Sequence, residues 1–128
     1  VYLKKPEQSK VETKWRTLGR STTRKDLKLV VNRVGVSPGG FILIDAILSS
    51  TLPQRMTIKP EAVWIKQADG SRVINSLFMS DSKVEKGKPL RLGISLAKSD
   101  LLVGKSILVE ISSDQTISLQ LKEGDLWK

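Results

Sequence analysis

The chain contains no cysteine and no histidine, and aromatic residues make up only 5% of it. Without cysteine there is no disulfide framework, no thiolate zinc site and no thiol nucleophile. Without histidine the commonest general base is missing, and with it the serine–histidine–aspartate triad. No apolar run approaches the ~18 residues that a membrane-spanning helix requires. What remains is a chain of 128 residues, the length of one domain. Such a chain buries roughly two-thirds of its unfolded surface, enough for a core that needs no covalent staple.

Charge is present in excess of one sign. The formal net charge is +9, and it is unevenly spread. Lys4, Lys5, Lys10, Lys14, Arg16, Arg20, Arg24 and Lys25 stand against only Glu7 and Glu12 in the first fifth of the chain. This divides the sequence into a basic N-terminal segment, residues 1–26, and a remainder, residues 27–128, with an ordinary charge balance. The chain begins with Val1 rather than Met, which points to a piece of a longer product. A basic stretch following an anchor would then flank a membrane.

The dominant pattern is alternation with period two. Leu90, Leu92, Ile94 and Leu96 alternate with smaller or polar residues. So do Ile107, Val109 and Ile111, and again Ile117, Leu119 and Leu121. Each set marks a half-buried strand. Phe41 to Leu48 is apolar at every position except Asp45, as in a strand covered on both faces. Leu27 to Val36 is strand-like with an imperfect alternation, the mark of a bulge or an edge. Asp69-Gly70, between 62–67 and 72–79, is a hairpin signal, because glycine accepts positive φ without a steric penalty.

Val11 to Leu18 places Val11, Thr13, Trp15 and Thr17 on one face and Glu12, Lys14 and Arg16 on the other, predicting a further strand. Polar breaks are expected over 19–26 and 81–89. No helix of ten or more residues is expected. About eight strands with turn signals at 8–12-residue spacing predict an all-β, two-sheet sandwich. Its core includes Ile42, Ile44, Leu92, Ile94, Val109 and Leu119, and Trp64 is expected inside with them.

Four stretches carry a resemblance: Gly40–Ser50, a turn glycine leading into an apolar strand; the loop Leu52–Pro60; Val63–Ser71, a strand with a polar hairpin; and Glu85–Leu92, a Lys-Gly-x-Pro sequence entering an alternating strand. With them, residues 28–121 resemble the immunoglobulin-like domains of bacterial membrane-anchored and surface lipoproteins. The resemblance implies an immunoglobulin-like sandwich, outside the cytoplasm, anchored in the full-length protein and without a catalytic signature. The segment Val11–Leu18 lies outside that pattern as an additional N-terminal strand.

Chemical motifs are few. Ser80/Lys83 and Ser95/Lys98 match Ser-x-x-Lys. That spacing works on a helix, whereas in a strand positions three apart face opposite sides. Asp81, Glu85, Asp100 and Asp114 are scattered, with no calcium-loop spacing. No metal or cofactor is expected. Asp45 is expected to point out of the sandwich toward an arginine or lysine.

The candidate binding residues are Lys14, Trp15, Arg16, Arg20, Arg24 and Lys25, a basic strand with one aromatic. Three partners suit them: a protein, an anionic membrane surface, or nucleic acid through phosphate attraction. Against nucleic acid stands the shortage of aromatic stacking partners, since only Tyr2 and Trp15 lie near the basic residues. The expected function is a non-catalytic extracytoplasmic module for protein binding or assembly. The alternatives are a basic nucleic-acid-binding β module, or a structural subunit of a secretion apparatus or virion.

Overall fold

The computed structural model describes residues 13–102, 105–113 and 115–127, excluding the side chain of Trp127. Val11, Glu12, Tyr2 and the lysines at 4, 5 and 10 lie outside the described residues.

Eleven strands, one short α-helix and two single 3-10 turns (Pro60–Ala62 and Lys98–Asp100) appear among them: β1 (Lys14–Arg24), β2 (Leu27–Val36), β3 (Phe41–Ser50), β4 (Met56–Thr57), β5 (Val63–Gln67), β6 (Arg72–Val73), β7 (Asn75–Met79), β8 (Lys83–Val84), β9 (Leu90–Ala97), β10 (Ile107–Ser112), β11 (Thr116–Leu121) and α1 (Glu123–Trp127). Every pairing is antiparallel. The fold is a β-sandwich of one five-stranded sheet, β1-β2-β3-β9-β7, and one four-stranded sheet, β11-β10-β5-β6. A small ladder, β4-β8, is separate from both.

The alternation predicts the inward face of each long strand. Ile42, Ile44, Leu92, Ile94 and Val109 are fully buried, and Leu119 nearly so. On β3 the other face, Leu43, Asp45 and Ile47, is half-buried rather than buried. Among the described residues no third layer covers it; side chains from neighbouring strands do.

The imperfect alternation of β2 has a specific cause. Leu27, Leu29 and Val31 are buried, and the next buried position is Val34. The register against β3 slips between Val31 and Arg33, so Asn32 is an extra residue. The register against β1 slips at the same place, between Thr17 and Arg20, with Gly19 at φ +67°. Glycine occupies this left-handed position without a Cβ penalty, as a bulge requires.

Three expectations are corrected. The first strand runs to Arg24 rather than ending at Leu18, and the polar stretch expected to break the chain is its second half. The bulge keeps β1 paired to β2 on both sides of Gly19. Residues 72–79 are two strands: β6 pairs with β5 in one sheet and β7 with β9 in the other. The chain changes sheets at Ile74, which is 85% exposed. Trp64 is half-buried on the outer face, because its neighbours Val63 and Ile65 take the inward positions.

Truncating Ile94 to alanine is expected to cost about 2–5 kcal/mol, the range for an aliphatic side chain lost from a close-packed core. Ile74→Ala should change stability by less than about 0.5 kcal/mol. Equal losses for the two in urea denaturation would refute this assignment of inside and outside.

Candidate functional site

The six candidate residues of β1 and its turn do not form one patch. Lys14 pairs with Val36 at one end of the strand, whereas Arg24 and Lys25 stand at the opposite end beside Leu27. Ten residues of strand separate them, roughly 33 Å at the usual rise. All three are exposed and make no ion pair among the described residues.

Arg16 and Arg20 are committed within the chain. Arg16 donates from Nη1 to the carbonyl of Gly124 at 3.1 Å and from Nη2 to that of Asp125 at 2.7 Å. Carbonyls in the last turns of a helix lack intrahelical partners, and a guanidinium satisfies two at once. Arg20 donates to Asp125 Oδ1 at 2.9 Å, while Asp125 Oδ2 accepts the backbone N–H of Lys122 at 2.9 Å. The second bond is half of a capping box, an acid reaching back over the first turn. Leu126, carried by the same helix, is fully buried. The two arginines therefore clasp α1 over the side of the sandwich where β1 approaches β11.

Trp15 projects from β1 onto the outer face of the five-stranded sheet, directly opposite Gly35. A Cβ on Gly35 would lie 2.9 Å from the indole ring and 2.6 Å from Thr13 Cγ2. The ring thus lies on bare backbone. The Arg33 guanidinium stacks over it, 4.0 Å from the ring centroid.

At the far side of the same face, Phe78 of β7 stands opposite Gly93 of β9, with Phe78 Cβ 3.6 Å from where a Cβ on Gly93 would be. From Thr17, two residues beyond Trp15 on β1, a row of cross-strand partners runs through Arg33, Asp45 and Gly93 to Phe78. Asp45 accepts from Arg33 Nε at 3.0 Å and lies 3.7 Å from Arg91 Nη2. It points outward to an arginine, as expected.

This arrangement encloses a shallow depression of about 270 Å³ floored by Leu43, Gly93 and Ser95. Two guanidinium groups share one carboxylate, leaving a unit of positive charge at the depression. On the outer face of the other sheet Lys66 pairs with Glu110 at 2.9 Å and Arg72 stacks on Trp64 at 4.0 Å, so that face also carries a positive charge in excess. A larger, mainly apolar hollow of about 800 Å³ opens at the end of the sandwich between Gly40, Phe41, Ala97 and Leu101. It brings together little polar chemistry. The outer-face depression combines aromatic, cationic and anionic groups, and it is the candidate site.

Of the expected residues only Trp15 belongs to it. Arg33, Arg91, Phe78 and Gly93 were not anticipated, although glycines inside strands, Gly35 and Gly93, are the kind of signal that marks close approach.

The Ser-x-x-Lys serines sit in strand surroundings. Ser80 Oγ accepts the backbone N–H of Arg91 at 2.9 Å. Ser95 is half-buried on the outer face. Among the described residues no cluster of acids could hold a metal ion, and no helix is long and apolar enough to cross a membrane.

Burial opposes the ionised form of Asp125, but hydrogen bonds from Arg20 and Lys122 outweigh it, and its carboxyl is held below the usual value. Its stabilising contribution is therefore complete above the unfolded value of about 3.9 and lost as pH falls through the lower folded value. Asp125→Asn should weaken the fold at pH 7, and the gap from the parent should narrow below about pH 4. A constant gap in urea denaturation across that range would refute the clasp. Gly35→Ala should displace the indole and alter tryptophan fluorescence, whereas Gly93→Ala meets only ordinary contact and should be tolerated.

No protein-family model matches the chain, and no curated protein does. Solved structures do. It is similar to a conserved hypothetical protein from Bacillus anthracis at 11% identity and a TM-score of 0.55, covering 88% of this chain and 99% of that one. It is also similar to a functionally unknown protein from Listeria monocytogenes at 14% identity and a TM-score of 0.54, covering 87% and 86%. An uncharacterised β-sandwich protein from Clostridium difficile aligns at 13% identity and a TM-score of 0.46. At these identities the first two likenesses concern the fold alone, and the two sheets described above make that fold a β-sandwich.

Proposed function

We propose that the chain is a non-catalytic module that binds a protein partner or takes part in an assembly, outside the cytoplasm, as part of a membrane-anchored or secreted bacterial protein. The observation that supports this most directly is the outer face of the five-stranded sheet. There Phe78 stands 65% exposed beside Arg91 and the Arg33–Asp45 pair. Aromatic and arginine side chains around a shallow depression are the composition that dominates protein-binding hot spots. The immunoglobulin-like resemblance of residues 28–121 supports the extracytoplasmic location.

A nucleic-acid role draws less support. The Trp15 ring, expected beside the basic strand, rests against Gly35 with the Arg33 guanidinium stacked over it, so a base would compete with Arg33 for its face. Lys14 is separated from Arg24 and Lys25 by the length of β1.

A photoreactive phenylalanine analogue at position 78, in the cell that makes the protein, should yield adducts of discrete mass. The same analogue at Ser118, exposed on β11 of the other sheet, should not. Because the chain has no cysteine, Ser118→Cys provides a single thiol, which a membrane-impermeant maleimide should label in intact cells. A fluorophosphonate should leave Ser80 and Ser95 unmodified. An adduct on either serine would overturn the non-catalytic reading.

A further inference from the structure

A two-sheet sandwich has four edge strands, here β1, β7, β11 and β6. Exposed edges present unpaired N–H and C=O groups, and proteins ordinarily blunt them with charge, bulges, brevity or a covering segment. Three of these edges are blunted. β1 carries the Gly19 bulge together with Arg16 and Arg20, and it lies against β11 and α1. β11 is closed from the same side. β6 is two residues long and contains Arg72.

Among the described residues the fourth edge has none of these devices. β7 reads Asn75, Ser76, Leu77, Phe78, Met79, with no charge and no proline, and Ile74 and Phe78 are among the most exposed large apolar side chains described. The direction of its free hydrogen-bonding groups follows from the ladder. Ser80 N–H bonds to the Arg91 carbonyl at 3.0 Å. Alternation in an antiparallel pair then turns the polar groups of Phe78 and Ser76 toward β9 and those of Leu77 and Met79 away from it. No backbone bond from another described segment reaches Leu77 or Met79.

We propose that the free edge of β7 accepts an extended segment of a partner protein as a sixth strand, with acidic side chains on its outer face and apolar side chains on its inner face. The proposal rests on the binding-module reading above and specifies its mode. Main-chain bonds to Leu77 and Met79 supply affinity, and alternate side chains supply selectivity. Inward-facing side chains of the added strand lie beside Leu77 and Met79, which pack against the core. Outward-facing ones lie beside Phe78, with Arg91 one strand further in and 63% exposed.

The charge excess of +9 also favours an acidic occupant over a second copy, which would bring like charge to the contact. A β7–β7 ladder would engage five residues a side, against about 20–30 in a stable interface.

The test uses the full chain, labelled with ¹⁵N, and two blocked hexapeptides, one alternating glutamate with valine and the other lysine with valine. The acidic peptide should shift the amide signals of Leu77 and Met79 and slow their hydrogen exchange about tenfold. Exchange at Ser76 and Phe78, already bonded to β9, should hardly change. The basic peptide should do neither. Replacing the exposed pair, Ile74→Glu with Ser76→Glu, should abolish the response while leaving thermal melting unchanged.

No response at Leu77 and Met79 overturns strand addition. An equal response to the basic peptide overturns the acidic specificity. Slowing that grows with protein concentration alone assigns the edge to a second copy and overturns the proposal. If adducts form from position 78 in cells while the edge amides ignore the acidic peptide, the binding reading stands and only the added strand falls.

Discussion

Closure of its sides is the constraint on which this sandwich depends. Two twisted sheets packed face to face bury their inner side chains well, but each leaves two rows of unsatisfied backbone. On one side, where β1 approaches β11, the last five-residue helix packs on β2 and is held by arginines of β1. Its own short length leaves carbonyls without partners, and Arg16 supplies donors to two of them. Arg20 fixes the Asp125 carboxylate that caps the opposite end of the same helix. Both ends of a helix too short to be stable alone are thus secured by one strand. The cationic character of β1 is in part a structural requirement.

The other side is organised by the crossing at Ile74. Val73 belongs to the core of one sheet, and Leu77 and Met79 pack against it from the other. This is economical in chain length, and it leaves β7 with a neighbour on one flank only. The same sheet carries two glycines each covered by an aromatic ring from the adjacent edge strand, Gly35 by Trp15 and Gly93 by Phe78. Such pairs restore contact area where a strand lacks a side chain. They also place both rings at the margins of the face, leaving its centre to Arg33, Asp45 and Arg91.

Much of the fold is legible in the sequence because burial in a half-buried strand has a fixed period. Ile42, Ile44, Leu92, Ile94, Val109 and Leu119 follow from alternation alone. Trp64 is misplaced only when size is allowed to outweigh that period. The crossing at Ile74 cannot be read in this way. Val73, Asn75, Leu77 and Met79 keep one unbroken alternation while the chain passes from sheet to sheet, so the pattern carries no mark of the change. The Gly19 bulge hides the second half of β1 for a related reason, since its residues are polar and their pairing is set by register.

The candidate site was less legible still. Arg33, Asp45, Gly93 and Phe78 come from four strands, and only strand order makes them a row. Arg16 and Arg20 look like a free basic surface until their partners, more than a hundred positions away, are folded against them.

That distance has a consequence for how the chain reaches its native state. The contacts of Arg16 and Arg20 with α1 span 105 to 109 residues. During synthesis β1 emerges among the first described residues, while its covering helix emerges among the last. At about 5–20 residues per second the interval is several seconds or more. Throughout it, β1 can pair with β2 but cannot be sheathed. The charge and bulge that it carries therefore protect the nascent chain at the stage when long-range β pairing is slowest and association with other chains is most damaging.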